Sequence, residues 1–115
     1  MEGLPSEALA QVAAYFQVLS EPTRLQILNL LRVQERSVGE LAQLCGCSSA
    51  NISRHLALLT QHGLATRETR GNSAYFSITD PSVYALCDLV CGNIARRFER
   101  TALDRAAFSA PLMGR

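Results

Sequence analysis

The sequence predicts a mainly α-helical domain carrying one β-hairpin, an α+β fold, and three observations predict it. Apolar residues recur at helical spacing from Ser6 to His62 and again after Asp80. Gly46 and Gly63 punctuate the central helices, and the run Ala65 to Ile78 alternates around a Gly-Asn pair as a hairpin does. A chain of 115 residues with 48% apolar content fits one domain with a modest core, near the size at which burial against a partner helps. The expected domain spans residues 1–107, and residues 108–115, which include proline and glycine, are expected to be a flexible tail.

The first helix is expected over Ser6 to Leu19, with Leu9, Val12, Ala13, Phe16 and Leu19 as its buried stripe. Ser20-Glu21-Pro22 opens a second helix, since a capping serine, an acid and a proline suit a helix start. That helix runs to about Val33 and carries Leu25, Ile27, Leu28, Leu30 and Leu31, which makes it the expected centre of the core. Arg24 sits early in it. Residues 33–36 read as a polar break, and Ser37-Val38-Gly39-Glu40 has the Ser-x-x-Glu pattern of a capping box opening a third helix to about Cys45.

Cys45-Gly46-Cys47-Ser48 then makes a tight turn into a fourth helix, Ser48 to His62, capped by Ser48 and ended by Gly63. Helix, glycine turn, helix outlines a helix-turn-helix. Ile52, Leu56 and Leu59 set the core face of the fourth helix. The opposite side carries Ala50, Ser53, Arg54, Ala57 and Gln61, with Ser49 and Asn51 flanking it. Small polar residues around one arginine suit a helix that enters a major groove, although any solvated helix face also shows polar residues opposite its core stripe.

In the hairpin, Ala74, Phe76 and Ile78 alternate with Ser73, Tyr75 and Ser77, so one side can pack on the helices. Arg67, Arg70 and Asn72 fall near its exposed end, where they either meet phosphates or the minor groove or keep a hairpin tip soluble. Asp80-Pro81 opens a last helix, expected to reach Ala106, with Val83, Leu86, Leu89, Val90, Ile94 and Phe98 as its apolar positions. Gly92 in its middle costs about 1 kcal/mol against alanine, easier to understand if another helix crosses closely there. A dimer interface is the natural partner.

The net charge of +1 opposes indiscriminate nucleic-acid binding, which needs a broad cationic surface. All eleven basic residues are arginine, however, and from Ser48 to Asn72 three of them face the single acid Glu68, so a compact positive site remains open. Arginine also suits bidentate contacts to phosphate or guanine. No apolar run is long enough to span a bilayer and the N-terminus lacks a signal pattern, so a cytoplasmic protein with no membrane partner is expected. The four cysteines are then expected to stay reduced. No Cys-x-x-Cys stands beside a βαβ unit, and no nucleophile, base and orienting group stand out, so an enzyme is not expected.

The runs LSEPTRLQILNLL, ELAQLCGCSSANISRHLALLTQHGLA and TRETRGNSAYFSITDP together resemble the ArsR/SmtB winged helix-turn-helix repressors of bacteria, over roughly Val12 to Phe98. The resemblance implies a homodimer joined through the first and last helices that binds an inverted repeat in double-stranded promoter DNA and is released by an inducer. By position it implies Ser48, Ser49, Asn51, Ser53, Arg54 and His55 in the reading helix, with His55 close enough to the core stripe to be a packing residue instead. Arsenite sensors of the family carry a Cys-x-Cys near the start of the third helix, where this chain has Gly39-Glu40-Leu41-Ala42. Zinc sensors place ligands along the last helix; Asp80 matches the first, but the other matched positions are Ser82, Asn93 and Arg96.

The inducer reading therefore falls on the cysteines. Cys45 and Cys47 are either metal ligands or small buried hydrophobes. Cys87 and Cys91, four apart on one helix, bring their Cβ atoms to about 5 to 6 Å, wider than the roughly 4 Å of a disulfide but within reach of a soft ion. Thiolates select soft or borderline species such as Cd, Zn, Pb, Cu(I) or As(III). The alternative is the same repressor sensing redox state or reactive sulfur through its cysteine pairs.

Overall fold

In the computed structural model, residues 1–101 are described, with side chains through Phe98. The elements run α1 (Ser6–Val18), α2 (Pro22–Val33), β1 (Arg36–Ser37), α3 (Val38–Cys45), α4 (Ser49–Gln61), β2 (Ala65–Arg70), β3 (Ser73–Ile78) and α5 (Ser82–Thr101). The chain separates into two compact units, Met1–Thr79 and a second beginning at Asp80. The expected tail and the expected end of the last helix at Ala106 lie outside the described residues.

The core of the first unit is built where the helical stripes converge. Ile27, Leu28 and Leu31 of α2, Leu41 of α3, Ile52, Leu56 and Leu59 of α4, and Phe76 of β3 are all buried. Proline at the first position of α2 fixes φ where no helical N–H is needed, and the Glu21 carboxylate caps the same end by accepting from the Thr23 N–H at 2.8 Å. At α3 the capping box is complete: Ser37 Oγ accepts from the Glu40 N–H and the Glu40 carboxylate accepts from the Ser37 N–H.

Both helix ends of the helix-turn-helix are closed by left-handed glycines. Gly46, at φ 69°, lets the Cys47 N–H turn back to the Ala42 carbonyl at 3.0 Å. Gly63, at φ 79°, does the same for the Leu64 N–H and the Leu59 carbonyl at 2.8 Å. A side chain at either position would strain the backbone, which is why the chain carries glycine there.

The sheet has three strands in the order β1-β3-β2, all antiparallel. Arg70 pairs with Ser73 across the two-residue Gly71-Asn72 turn of the hairpin expected around that pair. Strand β1 was not expected: residues 33–36 read as a polar break, yet Arg36 and Ser37 pair with Phe76 and Tyr75. Two residues are too few to show alternation.

The expected burial of α1 is corrected. Leu9, Ala13 and Phe16 are exposed, Val12 and Leu19 half-buried, and the buried residue is Val18. The apolar stripe is real but faces out of the protomer. Leu25 of α2 is likewise exposed. In the second unit, Asp80 Oδ1 accepts from the Ser82 N–H at 2.9 Å to start α5, whose Val83 is buried while Leu89 is 71% exposed and Val90 49%.

Candidate nucleic-acid interface

Helix α4 presents the surface the sequence assigns to DNA. Ser49, Ala50, Ser53, Arg54, Ala57 and Gln61 are exposed and Asn51 is half-buried. Ser48 Oγ accepts from the Asn51 N–H at 3.1 Å, so the serine caps the helix. Arg54 donates through Nη2 to Asn51 Oδ1 one turn earlier, which aims the guanidinium along the helix toward its N-terminus. The free N–H groups and dipole of that terminus attract phosphate.

The wing completes this surface through Arg67. Directly paired residues share a sheet face, so Arg67, opposite Phe76, points to the helix side. It lies with Ser53, Leu56, Ala57, Thr60 and Gln61 of α4 along a shallow open groove. Its Nη1 donates to Thr69 Oγ1 at 3.1 Å. Asn72 is exposed at the turn.

Two residues expected at DNA have partners within the protein. His55 is only 7% exposed and lies between α2 and α4. Arg24 Nη1 donates to His55 Nδ1 at 3.2 Å; because a guanidinium can only donate, Nδ1 is the acceptor and the ring proton sits on Nε2. Nε2 lies 3.2 Å from Glu21 Oε2 without hydrogen-bond alignment, which leaves that buried oxygen without a hydrogen-bond donor. Both ring nitrogens are turned into the protein.

Arg70 is the second. It lies on the opposite sheet face from Arg67, and its guanidinium is bidentate to Glu35, with Nη1 to Oε2 and Nη2 to Oε1 at 3.0 Å. Nη2 also reaches Glu68 Oε1 at 2.8 Å, and the group sits 5.0 Å from the Tyr75 ring centroid. The carboxylates hold it still more firmly protonated than a free arginine.

Sequence reasoning placed Glu21 at a helix start and Arg24 early in that helix, but connected neither to His55, nor Glu35 to Arg70. Arg24 also donates through Nε to the Val18 carbonyl at 2.7 Å and through Nη2 to the Gln17 carbonyl, satisfying the last turn of α1 in place of a glycine cap. An arginine in the first turn of a leucine-rich helix was the available signal. Glu21 is held below the ordinary carboxylate value of 4.5, first by the Thr23 backbone hydrogen bond and then, against the opposing effect of burial, by His55 and Arg24. A depressed carboxylate stabilises the fold above its unfolded pKa, and that contribution is lost as pH falls through the folded value. Comparing melting temperatures between pH 5 and pH 3, the advantage of the wild type over Glu21→Gln should shrink as pH falls below 4.5. A difference independent of pH would refute this role.

None of the four cysteines forms a disulfide, and all are half-buried. Cys47 Sγ donates to the Cys45 carbonyl at 3.6 Å, and burial, with the neighbouring Cys47, pushes the Cys45 thiol up. Cys87 and Cys91 lie one turn apart on α5. Among the described residues no group of three or more His, Cys, Asp or Glu side chains could hold a metal ion. No described helix is long and apolar enough to cross a membrane.

The chain is similar to known regulators over most of its length. A family profile described as a helix-turn-helix domain matches residues 19–68. The HTH-type transcriptional regulator Rv0081 of Mycobacterium tuberculosis is 35% identical over 95 residues, 81% of this chain and 83% of the relative. Its crystal structure superposes with a TM-score of 0.74, covering 87% of this chain and 99% of that one. The homodimeric winged helix-turn-helix DNA-binding domain of Mb0332 from Mycobacterium bovis, described as a possible ArsR-family transcriptional regulator, gives a TM-score of 0.73 at 31% identity, covering 87% and 95% of the two chains. The antimony-specific transcriptional repressor AntR gives 0.72 at 26% identity, covering 86% and 90%.

Proposed function

Because the chain belongs to the ArsR/SmtB family of winged helix-turn-helix transcriptional regulators, we propose that it is a homodimeric repressor released from promoter DNA by a thiophilic inducer. The observation that carries the DNA half is the outward row Ser49, Asn51, Ser53 and Arg54 on a helix capped by Ser48, flanked by the wing residues Arg67 and Asn72. Two such helices related by a dimer axis read an inverted repeat one helical turn apart. Leu9 and Phe16 on α1 and, in the second unit, Leu89 and Val90 on α5 are exposed, and such large apolar side chains left uncovered on each helix support pairing through these helices.

The inducer half rests on Cys87 and Cys91. One turn apart, they offer two sulfurs to a soft or borderline ion such as Cd, Zn, Pb, Cu(I) or As(III). Each protomer supplies two thiols and, among the described residues, no third ligand beside them, so these residues fit an ion content with two sulfurs or one shared across the dimer. Cys45 fits less well, because burial and the neighbouring Cys47 disfavour its thiolate. The antimony specificity of AntR supports the same ligand class. An ion that favours a dimer geometry with misplaced reading helices lowers DNA affinity by the reciprocal linkage factor.

The double variant Cys87→Ser/Cys91→Ser should bind promoter DNA as the wild type does but lose release when metals are titrated one by one into the reduced protein. Unchanged release would sink the assignment. The two-thiol set also favours a second reading, sensing of redox state or reactive sulfur. If only oxidant or persulfide releases DNA under anaerobic conditions, that second reading replaces metal sensing.

A further inference from the structure

The wing tip carries a cation whose charge is already spent. Arg70 is the last residue of β2, beside the Gly71-Asn72 turn that ends the hairpin. Glu35, in the connection between α2 and β1, takes it in a bidentate pair and Glu68 adds a third contact. Side-chain exposures of 45% for Arg70, 41% for Glu35 and 64% for Glu68 place the cluster in solvent. An exposed ion pair adds little to stability. Its larger consequence is electrostatic: two carboxylates around one guanidinium make the tip net negative, whereas the same tip without Glu35 is neutral.

We propose that Glu35 is a charge latch that withholds Arg70 from the DNA backbone and so limits sequence-independent affinity. Phosphate contacts supply nearly all non-specific binding, and each one releases counterions. A chain whose net charge is only +1 has few cations to spare for such contacts, so withholding one per protomer matters. Arg67, on the opposite sheet face beside α4, is unaffected by the latch. Discrimination is then left to the α4 row. The inference rests on the DNA-binding reading of α4 and the wing.

The test is titration of the full-length protein with a random-sequence DNA duplex at several salt concentrations. Glu35→Ala should bind about tenfold more tightly at low salt, and the plot of log affinity against log salt should steepen by about 0.9 per protomer. Glu35→Asp, which keeps a carboxylate, should remain near the wild type. Adding Arg70→Ala to Glu35→Ala should return affinity and slope to wild-type values, while Arg70→Ala alone should change little. Equal affinity and slope for Glu35→Ala and wild type would overturn the latch but leave DNA binding standing. A gain that survives loss of Arg70 would also overturn it, because removal of negative charge alone would explain the effect. Failure of both proteins to bind any duplex at the lowest salt would overturn the latch and the DNA-binding reading together.

Discussion

Ile52→Ala is expected to lower stability by about 3 kcal/mol, within the ~2 to 5 kcal/mol range for truncating a fully buried branched side chain. Ile52 has no solvent exposure and lies on the core face of α4, directly behind the Asn51 and Ser53 that face outward. Its neighbours cannot close around the space left behind, because α4 is fixed at both ends by the Ser48 cap and the Gly63 turn. In a domain of this size ~3 kcal/mol corresponds to a fall in melting temperature on the order of 10 °C or more. Calorimetry at fixed protein concentration measures it, since dimer stability depends on concentration. A loss below about 1 kcal/mol would mean that the helix repacks freely. DNA binding should fall only as far as the folded population falls.

What the sequence makes legible divides along a physical line. Features set by local chemistry are visible: the capping box at Ser37, the glycine turns at Gly46 and Gly63, the hairpin about Gly71-Asn72 and the outward row on α4 all follow from neighbours a few residues apart. Features set by contacts between distant segments are not. Nothing near Arg70 points to Glu35, thirty-five positions away. The wheel put His55 near the core stripe but could not show that Glu21 and Arg24 wait for its two nitrogens. The α1 stripe fails differently: its apolar spacing is real, but periodicity cannot separate a face buried within one protomer from one left for a partner. Strand β1 is defined by its partner β3 and by almost nothing of its own.

Arg54→Ala should abolish most specific DNA binding while leaving the fold intact. Arg54 is exposed in the middle of the outward row, so its loss should change stability by no more than about 0.5 kcal/mol. Its guanidinium is steered by Asn51 Oδ1 through a single nitrogen, which leaves the rest of the fork for a base edge or a phosphate. A lost bidentate contact to guanine costs ~1 to 3 kcal/mol at each half-site, and a homodimer loses it twice. Arg54→Lys separates the two roles. If Arg54 reads a base, lysine restores charge but not the fork, and sequence preference relaxes at one position of each half-site. If it grips a phosphate, lysine restores much of the affinity, and Arg54→Ala lowers binding equally on all sequences with a salt slope reduced by about 1 per protomer. Affinity unchanged in Arg54→Ala, on both operator and random duplex, would remove α4 as the reading helix, because no other charged side chain lies on its outward face.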